Sequence, residues 1–260
     1  MTNRAHKQET EMRIQEIHSQ IDTDRFGFKI GKTDGELFRV QPKKVIETLK
    51  AQGYKLIIAR VSMNDIALIN AMEDLGFRIK DSQLTFRFDL NKNSALQSLQ
   101  MESSFEIRKF KVSDADALAE LAKNSFDNYG HYFADSKLDK EKCRAIYADW
   151  TYNSCTDSDV ADQIFVSSYN NNPNGFLSFK LFEKDNKRYA AGGIGAVDSK
   201  FRGKNIFPAL VLAGLEWGLE IGLDWEEHNT LVNNTAVNRS FSKMGFHAGN
   251  HVITMHCWLS

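Results

Sequence analysis

One stretch limits the architectures open to this chain. In RYAAGGIGAVDSKFRGKNIFPALVLAGLEWGLEIG an apolar, glycine-bearing strand runs into a short basic turn, and the turn into a long apolar helix. A strand apolar on both faces needs cover on both, and an apolar helix needs a partner layer. Together they demand a layered α/β molecule. The neighbouring elements agree. Ile107 to Phe110 read as a strand, and Ser113 or Asp114 is placed to cap the helix ADALAELAKNSF. After YGHYFADSKLD comes a second helix, KEKCRAIYADWTYNS. Strands QIFVSSYN, FLSFKLFE and RYAAGGIGAV follow, separated by turn chemistry at NNPNG and KDNK. After the apolar helix come a strand to Leu231, a helix TAVNRSFSKMGF and a last strand HVITMHCWL. The order β-α-α-β-β-β-α-β-α-β predicts one mixed sheet with helices on its faces, an α/β (α+β mixed-sheet) class.

The N-terminal part is looser. The segment to about Gln20 carries charged and apolar residues at helical spacing, and RFGFKIGK and GELFRVQ alternate like strands. Pro42 opens a helix that Gly53 ends, LIIARVS is a buried strand, and Asn64-Asp65 cap a helix closed by Gly76. RIKDSQLTFRFDL alternates as a strand, and NKNSALQSLQMESS is polar enough for a linker. The expected division is residues 1–100 and 101–260. MEDLGF and FSKMGF are both helix-Gly-Phe-strand units that follow an apolar strand. Two readings stand: two copies of one fold, the first worn down, or two ordinary helix C-caps.

Composition removes several function classes. With 42 % hydrophobic residues in 260, there is material for a full core. A formal net charge of −1 argues against holding nucleic acid by bulk phosphate neutralisation. Cys143, Cys155 and Cys257 have neither metal-ligand nor disulfide-framework spacing, so reduced thiols and no metal are expected. The start has no signal-peptide core, and no apolar run reaches about 20 residues, so a cytoplasmic protein with no membrane partner is expected.

The chemistry gathers at GGIGAVDSKFRGKNIF. A turn entering a helix exposes backbone N–H groups that no helical carbonyl satisfies, and the helix dipole adds positive potential. Lys200, Arg202 and Lys204 add full charges, and Gly203 allows close backbone approach. This suits a diphosphate, although such clusters are also found as solvated surface. A second strand delivers Asn233 and Asn234 to the start of TAVNRSFSKMGF, where Asn is also an ordinary N-cap.

On these two segments, residues 104–260 resemble the GNAT acyltransferase superfamily. V-D-S-K-F-R-G-K-N-I-F looks like its pyrophosphate loop, and N-N-T-A-V-N-R-S-F-S-K-M-G-F like its following Asn-to-Gly-Phe helix. The resemblance implies a GNAT fold with a degenerate GNAT-like N-terminal half, and acyl-CoA as co-substrate. The pantetheine arm would pair with Gly195, Ala196 and Val197. The pyrophosphate would sit on Arg202, Gly203, Lys204, Asn205, Ile206 and Phe207, with Asn234 and Phe241 completing the cofactor set. SFDNYGHYFADSKLDKEKCRAIYADWTYNS and the ending H-C-W-L resemble GNAT enzymes that acylate dTDP-linked 3-amino- or 4-amino-dideoxyhexoses for surface-polysaccharide synthesis. That implies an acceptor pocket with Tyr129, His131 and Tyr132, and a homodimer is compatible with it. The acyl group is acetyl or a longer hydroxyacyl. A peptide, lysine or polyamine acceptor, and a catalytically silent acyl-CoA-binding module, remain alternatives.

The sequence departs from the pattern. Asn205 and Phe207 stand where the loop usually has Gly. Phe241 stands where many relatives have a Tyr that protonates the departing thiolate, so the leaving group needs another proton source. His131, whose ordinary pKa lies near working pH, is either the base for the amine or a hydrogen-bond partner of the acceptor. Tyr129 and Tyr132 are either acceptor ligands or core aromatics. His228, His247, His251 and His256 read as structural.

Overall fold

The computed structural model describes residues 16–90 and 105–259. The N-terminal helical spacing before residue 16, the polar linker 91–104 and the expected boundary at residue 100 lie outside them. The elements are α1 (Gln20–Phe26), β1 (Ile30–Thr33), α2 (Pro42–Ala51), β2 (Leu56–Ser62), α3 (Ile66–Asp74) and β3 (Arg78–Asp89), then β4 (Glu106–Lys109), α4 (Ala115–Ser125), the short α5 (Gly130–Phe133) and α6 (Lys140–Thr156). The chain continues through β5 (Gln163–Tyr169), β6 (Asn172–Lys184), β7 (Lys187–Val197), α7 (Ile206–Glu220), β8 (Trp225–Leu231), α8 (Thr235–Lys243) and β9 (His247–Trp258). The strands form one open mixed sheet in the order β1-β2-β9-β3-β8-β7-β6-β5-β4. The fold class is as the sequence predicts.

The chain forms two compact units. The first comprises Met1–Gln83, Tyr129–Lys142 and His251–Ser260; the second comprises Leu84–Asn128 and Cys143–Asn250. The core of the first packs Phe38, Leu49, Met72 and Phe77 with Ile57 and Met255. That of the second packs Phe88, Phe179, Leu210, Leu215, Phe241 and Phe246. Burying each such side chain stabilises the fold by about 1.5–3 kcal/mol.

The β-α-β-α-β order occurs twice. β1 is parallel to β2, and β7 to β8. Asp65 caps α3 by accepting from Leu68 N–H, and Asn234 caps α8 by accepting from Val237 N–H. Gly76 (φ 92°) and Gly245 (φ 88°) end these helices in the left-handed region. Phe77 N–H then bonds Met72 carbonyl, and Phe246 N–H bonds Phe241 carbonyl, both at 3.0 Å, the Schellman arrangement. Yet β2 pairs with β9, and β8 neighbours β3. The last strand of each series therefore lies beside the β-strand that precedes the final helix of the other series.

Several local expectations change. GELFRVQ is no strand: Thr33 Oγ1 and Asp34 Oδ1 accept from the Gly35 and Glu36 N–H groups, and a 3₁₀ turn follows over Glu36–Phe38. RFGF is split, because α1 ends at Gly27 (φ 80°) and only Ile30–Thr33 is strand. Asp114 does not cap α4 with its side chain, since its carboxylate is held by Arg108 at 2.7 and 2.9 Å. The two hairpin turns sit on Asn170-Asn171 and Asp185-Asn186, all with positive φ.

Candidate functional site

In the second unit, β7 and β8 part. Their parallel ladder runs from Tyr189↔Trp225 to Gly192↔His228 and stops there, while β7 continues to Val197 and β8 to Leu231. The cause lies on the other side of β7. Its register with β6 steps from Leu177↔Gly195 to Phe179↔Gly192, so Gly193 and Ile194 share one position opposite Ser178. Ser178 Oγ closes this bulge, accepting from Ile194 N–H at 2.9 Å and donating to Ile194 carbonyl at 3.1 Å. A bulge bends its strand and increases local twist, which turns β7 away from β8. The fork leaves the β8-facing backbone edge of Gly193 to Val197, which includes the predicted Gly195, Ala196 and Val197, without a strand partner.

Beyond Val197 the chain makes the basic turn. Asp198 accepts from Lys200 N–H, and Arg202 Nε donates to Val197 carbonyl at 3.2 Å, pinning the turn to the strand end. Gly203 (φ 77°) and Asn205 (φ 59°) supply the left-handed residues. Asn205 thus does the job of a glycine, at the cost a short polar side chain bears best. The first backbone bond into α7 runs from Ala209 N–H to Asn205 carbonyl at 3.1 Å. The N–H groups of Gly203, Lys204, Asn205, Ile206 and Phe207 have no acceptor among the described residues. Pro208 has no N–H, so it adds no further orphan donor to the first turn of α7. Lys204 Nζ lies over the Phe105 and Phe201 rings, which hold its charge beside the cradle.

Phe207 turns its ring into the core, edge-on to Phe241 at 5.6 Å, rather than standing among those N–H groups. Phe241 is 1 % exposed, packed on Phe86 and stacked on the His228 ring at 4.8 Å. Asn234 serves as the N-cap, with its side-chain oxygen 3.5 Å from Val237 N. Sequence reading missed Glu226 and placed His228 among merely structural histidines. His228 Nε2 is 2.7 Å from Glu226 Oε1, both side chains are buried, and burial pushes the Glu226 carboxyl up. The i, i+2 spacing of Glu226 and His228 on one strand face was the available signal.

The other expected set lies in the first unit. His131 Nδ1 is 2.9 Å from His256 Nε2, and His256 Nδ1 is 2.8 Å from Asp135 Oδ2, which also accepts from Trp258 Nε1. Burial holds His131 well below its usual range, and His256 adds to the effect. Burial opposes the charge on Asp135, but the His256 and Trp258 hydrogen bonds outweigh it and lower its pKa. Tyr132 donates to Asp22, which Lys32 also holds, and burial pushes the phenol up. Tyr129 precedes α5 as its N-cap. Of the remaining histidines, His251 bonds Ser82 Oγ and His247 is exposed. His256 is thus tied to His131 rather than being an isolated core residue. Between β1 and α2 the first unit carries Asp34, Glu36 and Arg39, with Arg39 paired to Glu36, where the second carries Lys200, Arg202 and Lys204.

Among the described residues no group of His, Cys, Asp and Glu is arranged to hold a metal, Cys143, Cys155 and Cys257 form no disulfide, and no helix is long and apolar enough to cross a membrane. No family model and no curated protein matches the sequence. Solved structures do. A functionally unknown conserved protein from Staphylococcus epidermidis is 13 % identical, with a TM-score of 0.59 over 90 % of this chain and 85 % of that one. A tandem GNAT protein from the clavulanic acid biosynthesis pathway is 16 % identical, with a TM-score of 0.60 over 86 % of this chain and 70 % of its own. A GCN5-related N-acetyltransferase from Sphaerobacter thermophilus is 14 % identical, with a TM-score of 0.57 and the same coverages, 86 % and 70 %. The chain has the fold these acetyltransferases share, with its forked strands and basic turn in the second unit.

Proposed function

We propose that this protein is an N-acyltransferase that moves an acyl group from acyl-CoA to an amine. The observation that carries the reading is the run of unpaired backbone N–H groups from Gly203 to Phe207, at the positive end of α7 and at the foot of the fork. A diphosphate satisfies those donors, with Arg202 and Lys204 adding charge. From Val197 back to Gly192, β7 rises about 16 Å at about 3.3 Å per residue, the reach of an extended phosphopantetheine arm. That arm is proposed to take the place of the strand partner that Gly195 to Val197 lack. The thioester then lies at the apex of the fork.

There the chemistry asks for little. An amine attacks the thioester carbonyl once it has lost a proton, and a backbone N–H at the fork stabilises the oxygen as charge develops. Holding amine and thioester together supplies most of the acceleration. For acceptor binding we propose Tyr129, His131 and Tyr132 of the first unit, with His131, which its environment keeps neutral, as a hydrogen-bond partner. The acceptor proposed is a nucleotide-linked amino-dideoxyhexose of the dTDP type, and the acyl group acetyl or hydroxyacyl. The N-terminal repeat, residues 1–100, is proposed to be a degenerate copy of the GNAT-like domain, 101–260, and a homodimer is the proposed assembly.

The test is to incubate the protein with acetyl-CoA and a panel of dTDP-amino sugars, peptides and polyamines, and to follow free thiol. Release with an amino sugar supports the full reading. Release with a peptide or polyamine alone keeps acyl transfer and overturns the sugar. CoA binding without release overturns catalysis and leaves an acyl-CoA-binding module.

A further inference from the structure

The fork's apex holds a buried acid pair that the scheme above does not use. Gly192 and His228 are the last paired residues before β7 and β8 part. The ring of His228 occupies the space a side chain at 192 would need: a Cβ there would meet His228 Nδ1 at 1.9 Å. His228 is 4 % exposed, and its Nε2 is committed to Glu226. Its Nδ1 makes no hydrogen bond among the described residues, yet it is not among the sealed, unpartnered atoms of the interior. A ring nitrogen of a buried side chain is therefore aimed, without partner, at the point where the strands part.

The surroundings isolate this pair from other charges. The ring is packed by Phe179 from β6, by Phe241 from α8, by Phe246 and by the bare Gly192 backbone, none of them titratable. Glu226 is the titratable group in contact with it, is fully buried, and leaves Oε2 without a partner. A net-charged pair there has little solvation, so the net-neutral pair is favoured. In that state one proton lies between Glu226 Oε1 and His228 Nε2, and the second is on His228 Nδ1.

We infer that His228 is the catalytic acid that protonates the departing thiolate, with Glu226 as its positioning residue. This rests on the acyl-transfer reading, which brings the thioester to the apex. As the amine nitrogen forms its bond to the acyl carbon, the C–S bond breaks and its electron pair goes to sulfur. The Nδ1 proton passes to that sulfur and releases CoA as the thiol. The proton shared with Glu226 settles on Nε2, leaving a Glu226 carboxylate and a neutral imidazole. The amine's surplus proton goes to water, and water restores the proton on Nδ1. Phe241, which has no proton to give, serves as the face against which the imidazole is stacked.

The experiment is a steady-state comparison of wild type, His228→Gln and Glu226→Gln with acetyl-CoA and the best acceptor, across pH, with acetyl-CoA Kd measured alongside. His228→Gln is expected to lower kcat about 100-fold, within the range of general acid catalysis, with Kd for acetyl-CoA changed less than about two-fold. Wild-type kcat falls on the alkaline side as the acid loses its proton, and His228→Gln loses that limb. Glu226→Gln keeps a hydrogen-bonded imidazole without the carboxylate, so its alkaline limb moves to lower pH. An unchanged kcat in His228→Gln, or a lowered kcat that keeps the alkaline limb, overturns the inference while leaving acyl transfer intact. If His228→Gln loses acetyl-CoA binding too, Glu226→Gln decides, and an unmoved limb there overturns the inference. A wild type that binds acetyl-CoA but releases no thiol overturns the acyl-transfer reading itself, and this inference with it.

Discussion

At the residue scale, two side chains at the fork carry opposite consequences. Ser178 holds the bulge with both hydrogen bonds to Ile194. Ser178→Ala leaves Ile194 N–H and carbonyl without their partner and is expected to destabilise the second unit by about 1–3 kcal/mol in denaturant unfolding. It is also expected to weaken acyl-CoA binding, because the bulge sets the fork. Phe241→Tyr adds a hydroxyl to a ring that is 1 % exposed. Steady-state kcat is expected to stay the same or rise, and a large fall means that the added hydroxyl is not accommodated between Phe86 and His228. The sequence shows which residue stands at 241. It does not show that the ring stacks on His228, because Phe241 and His228 meet only through the register of α8 on β8.

At the element scale, the turn from Asp198 to Phe207 is the part most legible beforehand. Its ingredients are local: a strand end, an apolar helix, a glycine and an asparagine able to adopt positive φ. The structure adds that Asn205 takes the left-handed region, at φ 59°. Asn205→Gly is expected to hold stability within a few tenths of a kcal/mol, whereas Asn205→Val, β-branched at a left-handed position, costs about 1–2 kcal/mol. Chemical denaturation of both variants checks this, and equal stabilities contradict the assigned backbone geometry. The expected GELFRVQ strand shows the limit of pattern. Alternation over a few residues yields to the Thr33 and Asp34 side chains, which bond the backbone locally and close a turn.

At the scale of the whole molecule, the twofold occurrence of the β-α-β-α-β order was visible only as two helix-Gly-Phe units. The placement of β9 beside β2 and of β3 beside β8 was not, because ladder partners far apart in sequence leave no local trace. The same holds for the chain Asp135–His256–His131, whose members meet across more than 120 positions. That chain makes the first unit acid-sensitive. His131 is held below its ordinary value, so the unfolded chain takes up its proton first, and stability falls as pH drops below about 6.5. Asp135, also lowered, adds a second loss below about pH 4. His131→Gln is expected to remove the first loss and keep the second in a series of urea melts against pH. A melt series in which both losses persist contradicts this placement of His131.

The central claim is that acyl-CoA sits on the fork and its basic turn, and titration calorimetry tests it most directly. Arg202 is exposed and gives the turn one hydrogen bond, to Val197 carbonyl, so Arg202→Glu is expected to cost about 1 kcal/mol of stability while reversing the charge beside the Gly203–Phe207 donors. Acetyl-CoA is expected to bind the wild type and to bind Arg202→Glu at least about ten-fold more weakly, a loss of about 1.4 kcal/mol or more. No binding by the wild type, or equal binding by the two proteins, contradicts the account.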